Sequence, residues 1–199
     1  MGTYVEFWAC PPEGPLAQIA ASAGDFAAWY VGDFAEDGDP RVLGLIRAMV
    51  EHGPAALAGL APEFDAVVDQ LVGEFYGFYC DHSGGLRLRG VNTSMLRVWR
   101  YRLLHAEMGG GLAPAVSELW GYIDMGRPVA PPGRVRGYVS DDDASWVAWW
   151  SLAEVELLQG GLPGRGWVGS EETEGVLDAV HDALEFAARE RCGLVVTAF

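Results

Sequence analysis

Five arginines and no acidic residue lie between positions 87 and 102, in a chain whose formal net charge is −15. Arginine binds carboxylates and phosphates through two parallel hydrogen bonds. On a helix, Arg97 and Arg100 are one turn apart and can bind two oxygens of one group, with Arg102 and His105 close by. The spacing therefore predicts a binding site for a small anion, formed by Arg97, Arg100, Arg102 and His105. Internal ion pairing with the many acids elsewhere in the chain is the alternative interpretation.

Other stretches of the chain contain only parts of catalytic motifs. His105 and Glu107 form an H-x-E pair, but Cys192 stands alone and cannot supply the P-C-x-x-C of a zinc deaminase. The glycine-rich residues 160–169 offer Arg165 to an anion but lack the spacing of a dinucleotide-binding loop, so we interpret them as a flexible loop between two helices. The chain contains no G-x-S-x-G, and we assign no catalytic residue.

The composition excludes several classes of function. All 13 basic residues are arginine, so a Walker lysine and a Schiff-base lysine are absent. The 28 acidic residues make nucleic acid an unfavourable partner, because phosphate binding depends on clustered positive charge. The 3 cysteines form no C-x-x-C pair and the 4 histidines form no motif, so we predict neither a metal nor a cofactor.

The hydropathy pattern indicates where in the cell the protein is located. No stretch reaches the roughly 20 uninterrupted apolar residues of a membrane span. The first residues lack a basic stretch followed by an apolar run, because Glu6, Pro11 and Pro12 interrupt them. We therefore expect a cytoplasmic protein that does not bind membranes.

Periodicity predicts the elements that position these residues. Alternating side chains predict strands at residues 3–9 and 194–199, and shorter strands at 86–91 and 134–139. Helical spacing predicts a helix over residues 16–31 and others that begin at Pro40, Pro62, after Thr93 or Ser94, at Ala113, at Ala144 and after Ser170. The helix of residues 144–158, capped by Ser140, would carry Trp146, Trp149 and Trp150. We predict an α+β fold: a predominantly helical single domain over residues 1–199, with about seven helices packed on a small sheet that contains both terminal strands side by side.

The same order of elements resembles a known group of proteins. The relevant stretches are TYVEFWA, LIRAMVEHG, FYGFYC, GRPVAPPG and GYVSDDD, followed by the apolar C-terminal strand. Their layout is similar to a family of uncharacterised actinobacterial proteins known as a domain of unknown function, and more remotely to the bacterial YfbM-like proteins. The resemblance implies a single α+β domain, and it brings no activity, cofactor or catalytic residue.

Two functions are compatible with these patterns. Acidity without a catalytic motif favours a non-enzymatic interaction protein with a basic protein partner, as in toxin immunity proteins. The alternative is an enzyme or carrier for a small aromatic or anionic metabolite, with the arginine segment and His105 in its pocket. A cleft with convergent arginine and histidine side chains would favour the second function, and an acidic face with a protruding aromatic side chain would favour the first.

Overall fold

A three-stranded antiparallel sheet is central to the fold. The computed structural model describes residues 4–12, 14–33, 38–57, 60–84, 97–127 and 146–198. The strands are β1 (Val5–Cys10), β2 (Trp146–Trp150) and β3 (Gly193–Ala198), in the order β1–β3–β2. The predicted pairing of the N- and C-terminal strands is confirmed, with Phe7 opposite Val196.

Helices supply most of the remaining described structure. They are α1 (Leu16–Ala21), α2 (Ala23–Asp33), α3 (Pro40–His52), α4 (Asp65–Glu74), α5 (Cys80–Ser83), α6 (Val98–Met108), α7 (Pro114–Met125), α8 (Leu152–Gly161) and α9 (Val176–Glu190). A π-helical segment at Phe75–Tyr79 joins α4 to α5, and 3-10 turns cover Gly53–Leu57, Pro62–Phe64 and Glu171–Thr173. The predicted α+β class, dominated by helices, is confirmed.

Both faces of the sheet are covered by helices. Successive side chains of a strand point to opposite faces. Trp8 and Val195 pack with α1 to α5, whereas Phe7 and Val196 pack with α6 to α9. Every described residue of β3 is buried, which explains why its sequence GLVVTA is almost continuously apolar. Its one polar side chain, Thr197, accepts a 3.1 Å hydrogen bond from the indole of Trp8.

The prediction of a helix over residues 144–158 is wrong in its first part. Residues 146–150 form β2, and Ser151 begins α8 with a capping box in which its hydroxyl and Glu154 satisfy each other's backbone N–H groups. A strand also explains how two adjacent tryptophans can both pack against apolar side chains, because neighbouring residues of a strand lie on opposite faces of the sheet. Trp149 packs with the α1–α5 layer and Trp150 is buried on the opposite face.

Three smaller differences concern helix boundaries. The predicted helix of residues 16–31 is interrupted at Ser22, where α1 ends and α2 begins. The helix predicted from Pro62 begins as a 3-10 turn and widens into the π-helical segment. The last helix does not follow Ser170 directly, because a 3-10 turn intervenes and Gly175 turns the chain with φ 76° before α9. The predicted strands at 86–91 and 134–139 and the predicted caps Thr93, Ser94 and Ser140 lie outside the described residues.

Among the helices that the structure describes, none has both the length and the apolar character that crossing a bilayer requires.

Candidate functional site

The loop of residues 163–175, which connects α8 to α9, lies over the C-terminal half of α6. Its first residue, Pro163, accepts a 2.7 Å hydrogen bond from Nε2 of His181 on α9. Because a carbonyl oxygen only accepts, this contact places the proton of His181 on Nε2. A turn follows in which the backbone N–H of Trp167 donates to Gly164 at 2.9 Å. The predicted loop between two helices is confirmed, but the flexibility predicted for it does not agree with its contacts, because side chains of α6 and α9 hold it in place.

Arg165 attaches this loop to the acidic face of α9. Its guanidinium lies 2.7 Å from Asp182, 3.0 Å from Glu185 and 3.9 Å from Asp178. Hydrogen bonds to Asp182 and then to Glu185 raise the pKa of Arg165 above its ordinary value. The arginine that the sequence offered as an anion partner is therefore neutralised by carboxylates of its own chain.

Glu107, at the end of α6, holds the middle of the loop. Its carboxylate accepts hydrogen bonds from the Thr173 hydroxyl at 2.9 Å and from the Ser170 backbone N–H at 3.3 Å. Hydrogen bonding from Ser170, with a further contribution from Thr173, lowers the pKa of Glu107. The glutamate of the H-x-E pair is thus a structural acceptor for the loop.

Arg100 and Arg97 reach different neighbours. Arg100 donates from Nε to the Glu172 carbonyl and from Nη2 to the Glu174 carbonyl, the latter at 3.0 Å. Arg97 precedes α6 in an extended conformation, with Nη2 3.5 Å from the Tyr4 hydroxyl and its guanidinium 5.5 Å from the centre of the Tyr4 ring. The described contacts direct one guanidinium to the loop and the other to the N-terminal strand.

The other two predicted site residues lie further along α6. Arg102 is exposed. His105 is partly buried, with Nε2 2.8 Å from the Ser117 hydroxyl and its ring centre 6.5 Å from that of Trp120. The contacts of Arg97, Arg100 and His105 therefore lead to three different elements, and anion binding by the four residues stays a prediction.

A cavity of about 420 Å³ opens between the loop, α6 and the start of α9. We call it the acidic cavity. Its apolar lining comes from Leu104, Trp167 and Leu177, and its polar lining includes the carboxylates Glu171, Glu174 and Asp178 together with Arg165. Val168, at its edge, is 87% exposed. An apolar interior with carboxylates around it suits a cationic group that carries a hydrocarbon stem.

A second cavity of about 410 Å³ adjoins the first, and Trp167 lines both. We call it the apolar cavity after the side chains of Met108, Leu112, Leu162 and Pro163 that line it, although the backbone of Gly110, Gly111 and Gly161 adds polar groups. Glu107 also borders it, with one carboxylate oxygen engaged by the loop. Together the two cavities form what we call the Trp167 cleft.

Gly169 allows the loop to close tightly behind Trp167. A Cβ at this position would lie 2.6 Å from the Glu107 carboxylate and 2.7 Å from the Trp167 ring, and it would also overlap the Thr173 hydroxyl. Atoms of real side chains do not approach so closely, so glycine is required by space. Gly166, in the same loop, has nothing within 4 Å of the corresponding position.

A second polar cluster joins the end of α7 to β2 and α8. Arg127 lies 4.2 Å above the Trp149 ring and 5.0 Å from the Tyr122 ring. It donates to the Trp149 carbonyl at 3.0 Å and to Glu154 at 2.8 Å. Burial acts to raise the pKa of Glu154, but the hydrogen bonds from Arg127 and Ser151 prevail and lower it. Arg127 thus joins the end of α7 to β2 and to the first turn of α8.

Metal and thiol chemistry depend on how histidine, cysteine and acidic side chains are arranged among the described residues. Within them, no group of three or more histidine, cysteine or acidic side chains is arranged to hold a metal ion. Cys10, Cys80 and Cys192 are free thiols, and burial raises the pKa of Cys80 to about 12. A thiol with such a pKa is a weak nucleophile at neutral pH.

Sequence reasoning missed the role of Trp167 and Val168. The signal in the sequence was indirect: these two apolar residues closely follow Arg165, and seven acidic residues lie in the 20 positions from Glu171 to Glu190.

The comparisons with known proteins identify no relative: no family model, no curated protein and no solved structure matches this chain.

Proposed function

We propose that the protein is a non-enzymatic interaction protein that binds a basic protein partner at the Trp167 cleft. The observation that carries this proposal is the lining of the acidic cavity. Its apolar surface is bordered by Glu171, Glu174 and Asp178, while Arg165, the arginine beside them, is neutralised by α9. The cavity thus presents negative charge next to apolar surface.

The charge of the chain supports the same partner. A net charge of −15 attracts basic surfaces over long range and raises the rate of encounter. Tryptophan is enriched among the interface residues that carry most of the binding energy. Trp167 lines the acidic cavity, and Val168 adds exposed apolar surface at its edge. One such partner is a basic toxin, for which the protein would act as an immunity protein.

The alternative of an anionic metabolite receives less support from the contacts. Arg100 is engaged by two backbone carbonyls of the loop, and Arg165 by carboxylates of α9. An incoming anion would compete with these contacts and would meet the carboxylates of the acidic cavity. The three free cysteines agree with a reducing compartment, so we also propose a cytoplasmic location.

The test is affinity capture from a lysate of the source organism with matched variants. The cleft variant replaces three carboxylates of the acidic cavity: Glu171→Gln, Glu174→Gln and Asp178→Asn. The control variant makes the same change in net charge at exposed glutamates of other elements: Glu51→Gln, Glu63→Gln and Glu156→Gln. We expect a basic protein to bind the parent and the control but not the cleft variant.

The captured protein is then purified and its affinity is measured at increasing salt concentration. We expect the affinity to fall with ionic strength, because exposed charges are screened beyond about 10 Å at 0.1 M salt. A partner that the cleft variant retains as well as the control does would overturn the proposal. A captured protein that is acidic, or whose affinity is insensitive to salt, would also contradict it.

A further inference from the structure

We infer that the partner enters the Trp167 cleft as an extended segment, with a basic side chain in the acidic cavity and an apolar side chain in the apolar cavity. This inference rests on the proposed function and adds the form and chemistry of the bound segment. It comes from the different linings of the two cavities and from the indole that they share.

The acidic cavity suits an arginine or lysine side chain. Leu104 and Leu177 offer apolar surface to the hydrocarbon stem, and Glu171, Glu174 and Asp178 offer carboxylates to the charged end. The indole of Trp167 adds a ring face, to which cations are attracted. Arg165, the cation that lines this cavity, is already paired with carboxylates of α9. The cavity would therefore disfavour an acidic side chain.

The apolar cavity suits an aliphatic or aromatic side chain. Met108, Leu112, Leu162 and Pro163 line it, and the one carboxylate at its border, Glu107, accepts hydrogen bonds from the loop. Backbone glycines at its edge leave room for the main chain of a ligand to approach closely. The two cavities therefore select different side chains.

The shared indole sets the spacing between these side chains. In an extended segment, residues two positions apart project from the same face and lie about 7 Å apart. Trp167 lines both cavities, so they adjoin at this residue, and side chains at i and i+2 of one bound segment would enter them together. The expected pattern is a basic residue and an apolar residue separated by one position.

The cleft is also organised before binding. Arg165, Arg100, Glu107 and His181 all hold the loop through hydrogen bonds or ion pairs. A fixed loop lowers the conformational cost that binding must overcome. A short segment can therefore bind measurably without a large interface.

The test is a phage-displayed library of random dodecapeptides selected on the immobilised full chain. We expect the enriched peptides to share a basic and an apolar residue at i and i+2. The best peptide is then synthesised with a fluorophore, and its dissociation constant is measured by fluorescence anisotropy. Replacing either of its two shared residues with alanine should weaken binding at least tenfold, a readout that requires no change in the protein.

Protein variants then assign each side chain to a cavity. Glu174→Gln should weaken binding of the selected peptide but should have little further effect on binding of the peptide that lacks its basic residue. Leu112→Ala should also weaken binding of the selected peptide, with little further effect on the peptide that lacks its apolar residue. Leu157→Ala, an exposed leucine on α8, is the matched control and should leave every dissociation constant unchanged. Circular dichroism confirms that each variant is folded.

Three outcomes would overturn the inference: no shared motif, a motif that is basic only or apolar only, or peptides that bind Trp167→Ala as tightly as the parent. These outcomes are separable from failure of the proposed function. If the lysate partner still depends on the acidic cavity while the library yields no paired motif, a folded basic surface is the ligand and the extended segment is wrong. If neither depends on the cleft, both proposals fail.

Discussion

The carboxylate of Glu107 accepts a 2.9 Å hydrogen bond from the hydroxyl of Thr173, which lies 66 residues further along the chain. This contact joins the end of α6 to the 3-10 turn before α9 and fixes the common border of the two cavities. Thr173 is almost fully buried, whereas Glu107 is on the surface. The loop is therefore fastened from outside by a charged group whose protonation weakens the contact.

The first prediction concerns acid. In the folded protein the pKa of Glu107 is lowered, so its contribution to stability is complete above the unfolded value of about 4.3 and is lost as the pH falls through the lower folded pKa. We expect Glu107→Gln to reduce stability at pH 7 and to make the decline in acid shallower. Urea unfolding between pH 7 and pH 3 measures both effects. Glu156→Gln, an exposed residue of α8, serves as the control. If the free energy of unfolding falls with pH in parallel for Glu107→Gln and the parent, the prediction is wrong.

The second prediction compares two glycines of the same loop. Gly169→Ala should destabilise the protein by about 1–3 kcal/mol, because its Cβ would overlap the Trp167 ring and the Glu107 carboxylate. Gly166→Ala should change stability by less than about 0.5 kcal/mol, because the space around that position is open. Chemical denaturation measures the difference. Equal stability of the two variants would show that the loop adjusts freely and that the cleft is not fixed.

The third prediction decides between the two roles of Arg97 and Arg100. Arg100→Gln should lower the free energy of unfolding by about 1 kcal/mol in the absence of any anion, because two carbonyls lose a charged but partly exposed donor. Thermal shifts with sulfate, phosphate and carboxylates at constant ionic strength provide the comparison. We expect the same small response from the parent and from Arg97→Gln/Arg100→Gln. Stabilisation of the parent alone would instead establish the anion site that the sequence predicts.

The fourth prediction concerns the central strand. Val196→Ala should cost about 2 kcal/mol, since its buried side chain loses two carbon atoms and leaves a cavity. Val50→Ala makes the same change on the exposed side of α3 and should cost less than about 0.5 kcal/mol. Deletion of residues 195–199 should prevent folding, which circular dichroism and urea titration would detect. A truncated chain with the parent's melting temperature would contradict the register of β1 on β3.

The elements with one strong local pattern could be predicted from the sequence. The alternation of residues 3–9 and the apolar run at 194–199 predicted two strands, and their pairing followed from the need to bury both. Pro40 and Asp39 marked the start of α3, where Asp39 accepts a 2.8 Å hydrogen bond from the Arg41 backbone. In these places the local preference and the tertiary structure agree.

The strand at residues 146–150 was missed because two signals conflicted. Trp146, Trp149 and Trp150 fit a helical spacing that continues into the apolar residues of α8. The correct boundary was present as Ser151 and Glu154, a capping-box pair that ends one element and begins another. Five apolar residues in a row can follow either period, and here the pairing of this segment with β3 decides in favour of a strand.

The cleft could not be derived from the sequence, because its contacts join distant residues. Arg100 bonds to carbonyls 72 and 74 positions away, and local spacing says nothing about such pairs. Spacing suggested that Arg97 and Arg100 act together, but it assumed that both lie on one helix. Arg97 is the extended residue before α6, and its side chain turns toward Tyr4.

The place of β3 between β1 and β2 has a consequence for biosynthesis. The ribosome makes β1 and β2 first, and each of them has β3 as its described sheet partner. Translation proceeds at about 5–20 residues per second, so the more than 180 residues between Cys10 and Gly193 take about 10–40 s to synthesise. During that time β1 lacks its described partner, and β2 lacks it while residues 151–192 are made, which leaves apolar strand edges open to aggregation. We therefore expect production of this protein in cells to depend on chaperones that bind nascent chains.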